Sequence, residues 1–241
     1  MGQITPDRPL VDMRTCRITL GGSARPAGPQ WRAMMAKASD GSPGGGLSGA
    51  SPGLSSLIAD AAARRGPPPV HLWDPPFCGD IDMRIARDGS WHYRGSPIGR
   101  PALVRLFASV LRRDRDRYVL VTPVEKLGIV VEDAPFVGVE LAGSPGEGFR
   151  LRTNLDEWVE IDAAHPLRFE PGPAGSLKPY ARVRGDLWAL VGRPVFYELV
   201  DKGEVRPVDG VERFGVASGA SFFPMMDADA LDGLGADPAL G

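Results

Sequence analysis

WDPPFCGDIDMRIARDGSWHYRGSPIGR, Trp73 to Arg100, is the stretch from which this chain can be read. Met83 and Ile85 alternate with Arg84 and Arg87, and across a turn Trp91 and Tyr93 alternate with His92 and Arg94. That period of two belongs to strands with one buried face. Asp88-Gly89 supplies the tight turn, because glycine accepts positive φ at little cost. After SPIG, Pro101 suits the first turn of a helix. Leu103, Phe107, Val110 and Leu111 line one face of that helix, which is predicted to run to about Arg113.

Working outward, a shorter version of the same order recurs at Tyr180 to Val200. Tyr180–Arg184 and Leu187–Val191 flank Gly185-Asp186, and Gly192-Arg193-Pro194 opens the helix VFYELV. Between the copies, strands are expected at Tyr118–Thr122, Leu127–Glu132, Phe136–Leu141, Phe149–Thr153, Trp158–Ile161 and Leu167–Glu170. Two more follow at Arg213–Ala217 and Ala220–Pro224. A two-stranded ribbon is marginal alone and needs a helix or further strands over its apolar face. The fold class is therefore α+β, with two similar tandem units of antiparallel strands and one packed helix each. The predicted units are 54–145 and 146–227, with Gly143–Gly148 as the boundary and 228–241 as a flexible tail.

The N-terminal 53 residues are the least foldable. GGSARPAGP and DGSPGGGLSGASPG bury too little apolar surface to offset backbone ordering. This segment reads as disordered, or as an extension upstream of a true start at Met34 or Met35. Leu54–Arg64 reads as a short helix with Leu54, Leu57, Ile58 and Ala61 on one face, ended by the Gly-Pro-Pro-Pro at 66–69. Formal charge over the 241 residues is −2, which gives no global basic field for nucleic acid. Charge is nonetheless uneven: residues 64–120 carry 11 Arg against 6 Asp, while 121–170 carry 4 basic and 10 acidic side chains. No run reaches the ~18 apolar residues of a spanning helix, and the N-terminus lacks a secretory pattern. A cytoplasmic location is expected.

Chemistry is sparse. Asp80 and Asp82 alternate on one strand face and would suit a hard cation, or else a turn and pairing with arginines. Cys78 with His71 or His92 would form a soft-metal or nucleophile pair, but two Cys and three His in the whole chain favour an inert, buried Cys78. A bridge from Cys78 to Cys16 would be surprising. His165, before Pro166, reads as a turn residue. Thr122-Pro-Val-Glu-Lys126 is a polar connector between apolar strands, where loops carry function. There Glu125 and Lys126 would bind a charged molecule with Arg84, Arg94 or Arg100. No phosphate-binding glycine loop and no hydrolase elbow around Ser144 is present.

WDPPFCGDIDMRIARDGSWHYRGSPIGRPALVRLFASVLRRD, YVLVTPVEKLGIVVEDAPF, PYARVRGDLWALVGRPVFYELV and FGVASGASFF together resemble a bacterial family, the domain of unknown function numbered 1285. The resemblance spans roughly Pro67 to Met226. It implies a duplicated core whose second unit is like a pleckstrin-homology barrel with its helix, and a ligand site where the units meet. It brings no catalytic residues, and a regulatory or signalling role has been suggested for the family only indirectly.

The expected function is thus non-enzymatic binding of a small molecule or protein partner, without a cofactor. The candidate ligand-binding residues are Arg84, Trp91, Tyr93, Arg94, Arg100, Thr122, Glu125 and Lys126. The alternative is a metal-assisted hydrolase using Asp80, Asp82 and Glu125.

Overall fold

The computed structural model describes residues 68–173 and 176–230. The expected disordered segment 1–53, the Leu54–Arg64 helix and most of the C-terminal tail lie outside the described residues. The chain divides into two compact units, the first ending at Val130 and lacking Ile85–Gly89, which belongs to the second.

In the first unit a 3-10 turn, Val70–Leu72, leads to β1 (Phe77–Ile85), β2 (Trp91–Tyr93) and β3 (Ser96–Pro97). Helix α1 (Pro101–Ser109) follows, then β4 (Leu111–Asp114), β5 (Arg117–Val121) and β6 (Lys126–Val131). They form one sheet in the order β3-β2-β1-β6-β5-β4. The Lys126 N–H donates to the Pro76 carbonyl and the Glu132 N–H to the Ile85 carbonyl, so β1 and β6 advance together and run parallel. The all-antiparallel expectation is corrected here, because α1, β4 and β5 return the chain to the β1 edge in the same direction.

Helix α1 stops at Ser109, four residues before the expected Arg113. Leu111–Asp114 instead pairs with Arg117–Leu120 around a turn in which Arg115 has φ +54°. That pairing keeps Leu111 buried and places Arg112 and Asp114 together on the opposite face. Periodicity alone reads an apolar residue two places past a helix as its continuation.

The second unit holds β7 (Phe136–Ser144), β8 (Gly148–Thr153), β9 (Trp158–Ile161), β10 (Leu167–Pro171), β11 (Leu177–Arg184) and β12 (Leu187–Val191). Helix α2 (Arg193–Asp201), β13 (Glu204–Val208), β14 (Val211–Ser218) and β15 (Ser221–Asp227) complete it. Six strands form a sheet in the order β10-β11-β12-β7-β8-β9, again with a central parallel pair, β12 and β7. The last three form a separate sheet. Gly143–Gly148 is the turn joining the paired strands β7 and β8, and the division between units falls after Val130.

The duplication is real at this level: each unit has a six-stranded sheet and a nine-residue helix opening on Gly-Arg-Pro. The pleckstrin-homology-like barrel is not closed. The larger sheet ends at β9 and β10, and β14 meets it through a side chain: the buried Ser218 hydroxyl accepts the Phe149 N–H at 2.8 Å and donates to the Ile161 carbonyl at 2.6 Å.

Ile85–Gly89 is held by second-unit side chains. The Asn154 carboxamide accepts the Val137 N–H at 3.1 Å and donates to the Gly89 carbonyl at 3.4 Å. Gly89 has φ +81°, and a Cβ there would lie 2.5 Å from Asn154 Nδ2. Glycine is therefore needed both for the turn and for the approach of Asn154.

Candidate functional site

One face of the first sheet carries Arg112, Val119 and Gly128, which are aligned across β4, β5 and β6. Arg112 reaches Asp114 with Nε at 2.6 Å and Nη2 at 2.9 Å, a bidentate pair on one strand. Its Nη1 donates to the carbonyls of Val70 at 2.6 Å and Trp73 at 2.7 Å, so the guanidinium fastens the N-terminal arm to the sheet. Lys126 Nζ lies 3.0 Å from Asp114 and 3.6 Å from Asp74. The Arg112 hydrogen bond holds the Asp114 carboxyl below its usual range, against the opposing effect of burial.

The eight sequence-derived site residues all lie in the first unit, but they have different jobs. Trp91 is 2% exposed and stacks on Phe107 with ring centroids 6.2 Å apart, which makes it core. Thr122 Oγ1 accepts the Glu125 N–H at 3.1 Å and so shapes the β5–β6 turn. Lys126 is taken up by Asp114 and Asp74. Burial pushes the Glu125 carboxyl upward. Arg84 is half-buried on β1. Arg100 precedes α1, and its carbonyl accepts the Leu103 and Val104 N–H groups while its side chain is exposed. Arg94 is exposed at the β2–β3 turn with φ +50°, its guanidinium 5.4 Å from the centre of the Tyr93 ring.

Among the described residues no three His, Cys, Asp or Glu side chains converge as a metal site, so Asp80, Asp82 and Glu125 do not form one. Asp80 instead lies 3.7 Å from Arg117, and a Cβ on Gly128 would overlap its carboxylate. Cys78 is half-buried on β1 rather than buried, with its Sγ 3.6 Å from the Pro76 carbonyl. His165 is a turn residue: Asp162 Oδ1 accepts its backbone N–H at 2.7 Å.

The second unit holds a cluster that sequence reasoning missed. The Asp133 side chain is 7% exposed; it accepts Lys178 Nζ at 2.5 Å and the Tyr180 hydroxyl at 2.6 Å. Arg87 Nε stands 3.6 Å away. Burial pushes the Asp133 carboxyl up, but the two hydrogen bonds and the charges of Lys178 and Arg87 outweigh it and hold it low. Arg168 stands 5.3 Å from the centre of the Tyr180 ring and 4.2 Å from that of Trp188, with Glu170 at 3.0 Å. Period-two alternation at Lys178 and Tyr180 was a usable signal for their shared face. The distant partners Asp133 and Arg87 left none.

Two family domains match the chain in tandem: the N-terminal domain of the domain of unknown function DUF1285 over residues 68–134, and the C-terminal domain of the DUF1285 proteins of unknown function over 135–225. The crystal structure of a DUF1285 family protein from Silicibacter pomeroyi DSS-3 is similar, with 49% identity and a TM-score of 0.64. The match covers 73% of this chain and 97% of that one. A DUF1285 family protein from Shewanella baltica OS155 shares 27% identity over 51% of this chain and 92% of its own, with a TM-score of 0.43. A search of curated proteins found no match.

Proposed function

The chain belongs to the DUF1285 family, and on that basis we propose that it is a non-enzymatic binding protein which takes an anionic ligand on its first unit. Tyr93, Arg94 and Arg100 form the contact surface in this reading. The observation that carries it is the conformation of Arg94. A long side chain held at φ +50° is a local backbone cost usually reserved for glycine or asparagine, and such costs gather where geometry serves binding. Stacking over Tyr93 orders the guanidinium while leaving its N–H fork toward solvent, ready for a carboxylate or phosphate. Arg100, six residues on at the start of α1, adds a second exposed cation. A regulatory or signalling role in the cytoplasm suits a protein of this kind. The pleckstrin-homology-like character of the second unit is supported by α2 packing on β7 and β14, next to an open sheet.

The test is a thermal-shift titration of the full chain with inorganic phosphate, citrate and ATP as probes. A ligand that binds only the native state raises the melting temperature in a saturable way. The expected result is a saturable rise with at least one probe. It should be lost in Arg94→Asn, which keeps a residue tolerant of positive φ. No saturable rise with the native chain, or an equal rise in the variant, would overturn the reading.

A further inference from the structure

The larger sheet of the second unit ends in a strand whose outer edge is open. β9 lies at that end and pairs with β8, in the register Phe149↔Ile161, Arg150↔Glu160, Leu151↔Val159 and Arg152↔Trp158. The Glu157 carbonyl accepts the Thr153 N–H at 2.9 Å, and the Ile161 carbonyl and the Phe149 N–H meet on the Ser218 hydroxyl. Residues 157 and 161 thus turn their backbone groups toward β8, and by the alternation of an antiparallel pair Trp158 and Glu160 turn theirs away. Among the described residues, no group takes up these two N–H and two C=O groups. Edges of this kind are usually blunted. β13, at the edge of the three-stranded sheet, carries Pro207, which has no N–H to offer. β9 reads Trp-Val-Glu-Ile, with three strong strand formers and no proline. Val159 and Ile161 are buried on its inner face, while the Trp158 ring is 43% exposed on the outer one.

We propose that β9 pairs antiparallel with β9 of a second copy of this chain, giving a two-fold dimer through a continuous sheet. A strand that meets itself about a two-fold axis closes the assembly, because both copies use the same edge. Backbone bonding across the junction requires outward-turned residues to stand opposite one another. With the axis at Val159, each Trp158 faces the Glu160 of the other copy. A row across the junction then runs Arg152, Trp158, Glu160, Arg150, the last two from the second copy, and no like charges are neighbours. With the axis at Glu160, two carboxylates would face each other, so side-chain charge selects the first register. Arg150 stands 4.0 Å from Glu160 and 5.6 Å from the centre of the Trp158 ring, so Glu160 enters the junction with its charge balanced from behind. A junction of one short strand buries less than the roughly 1,000 Å² of a permanent interface, and the dimer is accordingly weak and concentration-dependent.

Sedimentation equilibrium of the full chain over a wide range of concentration tests this, together with amide exchange at Trp158 and Glu160. The expected result is a monomer–dimer equilibrium in which those two amides are protected only where the dimer is populated. Glu160→Pro removes an outward N–H and leaves the β8 ladder intact. Trp158→Glu changes an exposed side chain and sets carboxylates opposite each other across the junction. Each should weaken the dimer by at least about tenfold, with the circular dichroism of the monomer unchanged for Trp158→Glu. A monomer at every concentration would overturn the proposal. So would protection of both amides in the monomer, a dimer that leaves them unprotected, or a dimer indifferent to Trp158→Glu. The Arg94 surface plays no part in these measurements, so the two ideas fail independently.

Discussion

The carboxylate of Asp133 accepts the hydroxyl proton of Tyr180 at 2.6 Å, across 47 residues of chain and almost out of reach of solvent. With Lys178 on its other oxygen, Asp133 is the centre of the second unit's polar interior. Asp133→Asn should destabilise the protein by about 2 kcal/mol at pH 7, because a hydrogen bond to an ionised group is lost in a closed site. For a chain of this size that is a fall in melting temperature of about 4–8 °C. The Asp133 carboxyl is held below its ordinary range, so its contribution is present above the unfolded value, about pH 4, and fades as pH falls through the folded value. Lys178 is raised, so its share is full below its ordinary value and is lost only as pH climbs through the raised one. Denaturation series at pH 7 and pH 3 should therefore show the variant's deficit shrinking in acid.

Ser218 joins two sheets through one oxygen. Ser218→Ala would leave the Phe149 N–H and the Ile161 carbonyl without that partner in a buried place. Urea unfolding should show a loss of about 1–3 kcal/mol. A change below about 0.5 kcal/mol would mean that β8, β9 and β14 do not depend on this bridge.

Two glycine-to-alanine changes should behave oppositely. At Gly215 the new methyl would overlap the Phe223 carbonyl, which is backbone and cannot step aside. Gly215→Ala should cost more than about 2 kcal/mol. At Gly128 the obstacle is the Asp80 carboxylate, the end of an exposed side chain that can swing away. Gly128→Ala should fall within about 1 kcal/mol of the native chain in the same unfolding assay.

Trp91 offers a test of core against contact surface. Its indole N–H is buried without an acceptor in the protein, and its ring stacks on Phe107. Trp91→Phe should therefore cost less than about 1.5 kcal/mol, while Trp91→Ala should cost about 3–5 kcal/mol by leaving a cavity. Binding of any probe that shifts the native chain should survive Trp91→Phe.

Arg112→Lys removes the fork that holds both Asp114 and the arm. Amide exchange at residues 70–74 should accelerate at least tenfold, since lysine has no planar fork to serve both at once. Exchange in β5 should change little, because its ladder is made by backbone groups.

How much of this was legible in the residues depended on how far apart the partners lie. The β1–β2 hairpin was readable because Asp88-Gly89 and the alternation around it are local, and the β12 strand with its Gly-Arg-Pro helix was readable for the same reason. Strand β4 was not, because Leu111 fits a helical stripe as well as a strand and only pairing with β5 decides between them. The parallel pairs were hidden too, since direction is set by connections that periodicity does not encode. Among site residues, Lys126 stood out as polar beside apolar strands. Its use as an internal tie to Asp114 and Asp74 came only with the fold. Asp133 was overlooked because Lys178 lies 45 residues away and no local motif links them.

The placement of Ile85–Gly89 also bears on how the chain is made. Asn154 closes on a carbonyl synthesised 65 residues earlier, so the later half of the protein completes itself around a turn that has long since left the ribosome. Closing so wide a loop costs entropy before its contacts are gained. A gene cut after Val130 gives two pieces of unequal standing: one keeps a hairpin tip without its receptor, and the other keeps Asn154 with nothing to hold.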